Sequence, residues 1–384
     1  MSSEIFRAFF MIYIHIPFCK QKCSYCNFHF STSLNFKDEM LRAMKAEIQL
    51  RKDELHNKTL KSLYFGGGTP SILSVDEISA LVDEVLRYFS FEKDIEITLE
   101  ANPDDLDKHF LKQLAATPVN RLSIGTQSFF EADLKLMNRA HNASEAESSI
   151  KRAQDSGFEN LSIDLIYGSP TSNLEIWKEN LRKTIDLEVP HISSYALTVE
   201  PKTALENWIS KGKVMSPKEE EQNREFYYLS DFLKEHGFEH YEVSNFAKPG
   251  FYSKHNSAYW KYQEYLGIGP SAHSYNGFDV RSWNVANNQQ YIKKLSDKIL
   301  AKEEEFLSQE DQFNEMIMIG LRTMWGVDLS HVKNKFSDAL QEHFQKEIKA
   351  KIEEGILVIE NDHLKIPEEH WFMADGIASD LFVV

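Results

Sequence analysis

The chain is predicted to be an α/β protein, a partial (β/α) barrel of about six parallel strands followed by a small C-terminal helical domain with a β wing. Three observations predict this. Short β-rich runs alternate with amphipathic helical stretches over the first two-thirds of the sequence. After residue 305 helical patterns surround two short β runs. A length of 384 residues suits one large domain plus a small one.

In order, the strands are MIYIHIPF (11–18), KSLYF (61–65), IEITLEA (95–101), RLSIGTQ (121–127), NLSIDLIYG (160–168) and HISSYALTV (191–199). In 36–56, Phe36, Met40, Met44 and Ile48 recur every four residues between charges, which predicts one helical face. Ser74 caps a helix over 75–89, with Asp76 and Glu77 in its first turn and Arg87 near its end. Helices also fit 173–187 and 218–236. Such β–α units build a parallel sheet covered by helices, with function at the C-terminal strand ends; a doubly wound sheet is the competing layout.

Residues 1–10 read as a dispensable N-terminal arm or an upstream start before Met11. The core is drawn as 11–240, an aromatic and His-rich segment as 241–304, and the helical, winged domain as 305–384. In the last, EGILVIENDHLKIP is two β runs joined at Asn361-Asp362.

The net charge of −16 excludes a nucleic-acid partner as the expectation, since phosphate binding needs a basic face. No apolar run approaches ~20 residues, so no transmembrane segment is expected. The apolar start is broken by His15 and leads to no small-residue cleavage site, which argues against a signal peptide. A cytoplasmic location follows as the expectation, and the thiols agree with it.

All three cysteines, Cys19, Cys23 and Cys26, lie within eight residues, spaced C-x3-C-x2-C after the first strand. An odd, tight group is not a disulfide framework. Its short gaps let one loop wrap an iron–sulfur core, each thiolate on a different iron. Three thiolates for a 4Fe–4S cluster leave one iron open to an exogenous ligand. The alternative is a zinc site completed by His15 or His29, although zinc knuckles usually pair their ligands and no second pair exists here.

With Tyr25 as its aromatic residue, this loop resembles that of the radical S-adenosylmethionine superfamily. HIPFC (15–19), FGGGTPS (65–71), LEANPDD (99–105), IGTQSF (124–129), NRAH (138–141) and DLIYGSP (164–170) extend the resemblance to the oxygen-independent coproporphyrinogen III oxidase family, in order and over nearly the whole chain. The resemblance implies a 4Fe–4S cluster on the three cysteines and S-adenosylmethionine at the open iron. It assigns Gly68, Thr69 and Pro70 to the methionine amino group. The Gly66–Gly68 run fits neither common phosphate-loop pattern, and its glycines allow close ligand approach. Glu100, Gln127, Arg139 and Asp164 stand at or just beyond strand C-termini, where carboxylates suit ribose hydroxyls and an Arg suits a carboxylate. The resemblance places all four, with Tyr13 and Tyr25, around S-adenosylmethionine.

Two departures put porphyrinogen decarboxylation in doubt. The oxidase carries a further cysteine two residues after the loop, where this chain has Phe28, as the family's heme chaperone branch does. The oxidase also has a long N-terminal segment, whereas here the loop is reached by residue 19. His255, Tyr259 and Trp260 match the H-N-x-x-Y-W motif tied to heme in that branch, an imidazole for iron beside flat aromatic surface. His273 is a second candidate. The resemblance thus implies a heme chaperone with heme as cargo and an acceptor protein, a membrane-bound respiratory protein being one class, and cluster loading that favours a homodimer. The competing expectation is the oxidase itself, a 5′-deoxyadenosyl radical leading to propionate decarboxylation.

Overall fold

A computed structural model describes residues 10–383. Apart from Phe10, the N-terminal arm lies outside the described residues. Phe10 itself is buried, and its carbonyl accepts the Lys61 N–H at 2.9 Å. The chain forms two compact units, one of residues 1–225 with 253–305 and the other of 226–252 with 306–384.

In the first unit six strands run parallel and pair in chain order: β1 (Met11–Ile16), β2 (Thr59–Gly67), β3 (Ser90–Ala101), β4 (Arg121–Gln127), β5 (Asn160–Tyr167) and β6 (His191–Ala196). Helices Lys37–Leu50, Val75–Leu86, Lys108–Leu114, Ala143–Asp155 and Leu174–Asp186 connect them. Residues at the ends of β2 and β6 line one cleft, so the sheet is curled into an open, partial barrel.

Alternation along the strands explains this arrangement. Ile12, Ile14, Leu63, Phe65, Ile97, Leu99, Leu122, Ile124, Ile163 and Ile192 are all fully buried. Each such side chain contributes roughly 1.5–3 kcal/mol on burial. The residues between them are polar: Tyr64, Glu100, Ser123, Asp164 and Ser193. Pairing aligns Glu100 with Ser123 and Asp164 with Ser193, so the polar positions share one face of the sheet. The helix caps follow the sequence too. Ser74 accepts the Glu77 N–H while the Glu77 side chain accepts the Ser74 N–H, a capping box.

The aromatic segment does not stand apart from this core. Tyr265–Ile268 pairs in parallel with β1, and His273–Tyr275 and Val280–Asn284 continue the edge antiparallel. A buried network fixes it there. Arg51 donates to Glu47, to the Gly267 carbonyl and to Ser274, and Glu47 also accepts from Tyr291, Asn284 and the Gly269 N–H.

The second unit takes residues 226–252, from the end of the 11–240 block and the start of the 241–304 segment, together with the C-terminal residues, so each unit is built from separate stretches of chain. Its core gathers Phe313, Ile317, Leu321, Phe344 and Leu364 from helices Gln309–Leu321 and Asp338–Glu353 and a small antiparallel sheet. In that sheet Val358–Glu360 and His363–Lys365 form the expected hairpin. Asn361 and Asp362 have φ of 51° and 64°, the pair of left-handed residues a tight hairpin turn requires.

Candidate functional site

A cleft of about 660 Å³ opens at the C-terminal strand ends, a size suited to a small-molecule ligand. Cys19, Cys23 and Cys26 stand at its wall, each partly exposed and free of disulfide. Two supports hold their loop. On one side the Gly68 N–H donates to the Ile16 carbonyl at 2.8 Å and the Thr69 N–H to the Phe18 carbonyl at 2.7 Å. A Cβ at Gly68 would lie 2.5 Å from the Phe18 oxygen, and Gly67 has φ of +107°, so this contact needs glycine.

The second support is segment 136–139. The Ser24 N–H and hydroxyl donate to the Met137 and Leu136 carbonyls at 3.0 and 2.7 Å, and Asn138 donates to the Lys22 carbonyl at 2.7 Å. Arg139 then reaches the cluster loop itself. Its guanidinium donates to Cys23 Sγ at 3.2 Å, to Asn102 at 2.6 Å and to the Gly125 carbonyl at 2.7 Å. Burial pulls the Arg139 pKa down, but Tyr25 and Cys23 outweigh it and hold the group charged.

Burial pushes the Cys19 thiol up to about 11 and raises Cys26 as well. Loading a metal on these thiols therefore releases protons. The histidines of the zinc alternative are held by other partners. His15 Nε2 bonds the His29 carbonyl at 2.9 Å and Nδ1 bonds Tyr13 at 3.2 Å, while His29 Nε2 bonds Asn288 at 2.7 Å. Among the described residues no three His, Cys, Asp or Glu side chains converge on one metal ion. Thiolates that each bind a different iron need no such convergence.

Two carboxyls line the same cleft. Burial raises Glu100 to about 7, although its Oε1 accepts from Tyr64 at 2.8 Å and its Oε2 from the Gly67 N–H at 3.2 Å. Burial likewise raises Asp164 to about 6, against a 3.2 Å bond from Ser123. Gln127 also faces the cleft, with a left-handed φ of 65° where the β4–β5 register shifts. An outlier of that kind costs roughly 1–3 kcal/mol and often marks a working position.

Of the residues singled out from sequence, Cys19, Cys23, Tyr25, Cys26, Gly68, Thr69, Glu100, Gln127, Arg139 and Asp164 all line this cleft. Pro70 does not; it begins the buried turn Pro70–Ile72. Tyr13 sits behind the lining, stacked on Tyr64 with ring centroids 6.0 Å apart. Tyr64, Asn102 and Ser123 were not singled out. Their signal was the polar residue at every second strand position.

His255, Tyr259 and Trp260 also lie away from the cleft lining. Glu96 holds the helix Lys254–Tyr259 to β3 by accepting the Lys254 and His255 N–H groups, both at 3.0 Å. His255 is buried, with Nδ1 on Ser62 at 2.7 Å, Nε2 on Tyr259 at 3.1 Å and its ring stacked on Tyr64 at 4.8 Å. Tyr64 thus touches both His255 and the cleft carboxyl Glu100.

A cysteine loop at the mouth of a partial barrel defines the class. Residues 13–183 match the Radical SAM superfamily, and residues 307–373 match the HemN C-terminal domain. Heme chaperone HemW of Lactococcus lactis is 34% identical, with 95% of each chain covered. Heme chaperone HemW of Bacillus subtilis is 35% identical over 90% of this chain and 92% of that protein. A mitochondrial relative from Bos taurus, radical S-adenosyl methionine domain-containing protein 1, is 31% identical over 96% of this chain and 86% of its own. The chain belongs to the HemW heme chaperone family. Its fold is that of the Escherichia coli coproporphyrinogen III oxidase HemN, with a TM-score of 0.84, 24% identity and coverage of 98% of this chain and 90% of that one. Among the described residues no helix is long and apolar enough to cross a membrane.

Proposed function

We propose that this protein is a heme chaperone that binds heme and passes it to an acceptor protein, on a scaffold carrying a 4Fe–4S cluster and S-adenosylmethionine. The observation that carries the reading is similarity along nearly the whole chain to proteins named heme chaperones. Phe28, where the oxidase has a cysteine, supports it.

The donor set fits the cluster: three thiols of one loop, undisturbed by disulfides, with one charged guanidinium against Cys23. When bound, the cluster would supply an iron site for S-adenosylmethionine and one-electron chemistry. Around it, Gly68 and Thr69 border the cleft, and Glu100 and Asp164 are the acceptors for ribose hydroxyls. Gln127 offers an amide to the same cleft. Arg139 holds Cys23 and Asn102 in place through its two terminal nitrogens, while its buried Nε has no partner among the described residues and is left for a ligand in the cleft.

Iron ligation by His255 requires its ring to release Ser62 or Tyr259. The H-N-x-x-Y-W helix therefore takes part in heme binding only by rearranging.

The experiment is anaerobic reconstitution with iron and sulfide, followed by hemin titration by absorbance and coproporphyrinogen assay by chromatography. Hemin uptake without coproporphyrinogen consumption is expected. Turnover of coproporphyrinogen would transfer the assignment to the oxidase, and a colourless zinc protein would remove the cluster.

A further inference from the structure

A second cavity, of about 540 Å³, adjoins the cleft, sharing Cys26, Asn27, Phe28 and Phe30 with it and lined further by Lys22 and the Pro201–Lys202 turn. Phe28 is 69% exposed. Leaving so large an apolar side chain in water forgoes roughly 1.5–3 kcal/mol, which an apolar partner would recover. The turn is strained as well. Lys202 has φ of 65°, a conformation in which Gly or Asn is the usual residue after Pro. Asn27 ties this turn to the loop by donating to Glu200 at 2.8 Å.

The charges are out of keeping with the rest of the molecule. In a chain of net charge −16, Lys22 and Lys202 come from separate segments to one cavity; of the carboxylates beside Lys202, Glu200 accepts from Asn27 and Glu206 from the Lys202 backbone N–H. Aromatic walls with two cations at the edge suit a flat apolar body bearing two carboxylates. His255, by contrast, is buried with both ring nitrogens engaged.

We infer that this cavity is the entry site for heme, the macrocycle lying against Phe28 and Phe30 and the propionates meeting Lys22 and Lys202. The inference rests on the heme-binding reading above. It places the cargo beside Cys26, so that cluster loop and cargo share a wall.

The test uses full-length, anaerobically reconstituted protein and two probes: hemin and hemin dimethyl ester, which keeps the iron but lacks the free carboxylates. Two exposed charge contacts are worth about a tenfold change in affinity. Combined Lys22→Glu and Lys202→Glu should weaken hemin by about that factor or more and leave the ester within about twofold. Phe28→Ala should weaken both probes. Iron content and thermal unfolding control for misfolding, and the Lys→Gln pair repeats the test with a milder change. Hemin affinity unchanged in the lysine variants would overturn the entry site while leaving the chaperone reading standing. Wild-type protein that binds no hemin would overturn both.

Discussion

Replacing Glu100 by Gln keeps an acceptor for Tyr64, turns the oxygen that accepts from the Gly67 N–H into an amide donor, and removes a carboxyl that titrates inside the cleft, so the comparison rests on the pH slope of stability and not on its absolute level. Its pKa is raised from 4.5 to about 7, which corresponds to about 3 kcal/mol of linkage. The folded-state value lies above the unfolded one. The stabilisation is therefore complete below about pH 4.5 and is lost as pH rises through about 7. Asp164, raised to about 6, adds a smaller effect of the same sign, and it remains in both proteins. Denaturant unfolding of wild type and Glu100→Gln, without cofactors, across pH 5 to 8 isolates the Glu100 contribution as their difference. The variant should gain on the wild type by about 3 kcal/mol toward high pH. S-adenosylmethionine affinity should show the opposite slope, strengthening through pH 7 in wild type as the carboxylate forms and staying flat in the variant. Parallel stability profiles for the two proteins would refute this account of the cleft.

Other changes probe the supports. Arg139→Gln removes an N–H···S contact and should lower the cluster's reduction potential, read by EPR-monitored titration; an unchanged potential would show that the Cys23 contact is absent in the loaded protein. Gly68→Ala drives a Cβ toward the Phe18 carbonyl and should cut iron incorporation severely, measured as iron per chain. His255→Ala leaves Ser62 without a buried partner and should cost roughly 1–3 kcal/mol in unfolding assays. A loss of heme affinity at unchanged stability would instead speak for direct ligation. Ser74→Ala should cost about 1 kcal/mol through its capping box alone.

Much of this was legible because local and global signals agree. The six strands are β-rich runs in which buried apolar residues alternate with polar ones, and the Ser74 box and the Asn361-Asp362 turn are written in neighbouring residues. The cysteine loop was legible for the same reason, since three ligands fall within eight positions. Long-range pairings left weaker traces. Nothing near Tyr265 says that this strand will join β1, because the join depends on Glu47 and Arg51 more than two hundred residues earlier. Tyr64 belongs to no motif in the sequence, and only the fold sets it between Glu100 and His255. Arg139 suits a carboxylate by its chemistry, and only the fold shows that it also donates to Cys23, Asn102 and Gly125.

Transfer tests the chaperone assignment most directly. Reconstituted protein loaded with one equivalent of hemin, freed of excess and mixed with a heme-free acceptor such as apomyoglobin, reports hand-over as a shift in absorbance. The account predicts that heme binds, withstands removal of the excess, and passes to the acceptor with S-adenosylmethionine left intact. Protein that never retains heme, or that consumes coproporphyrinogen together with S-adenosylmethionine, would contradict it.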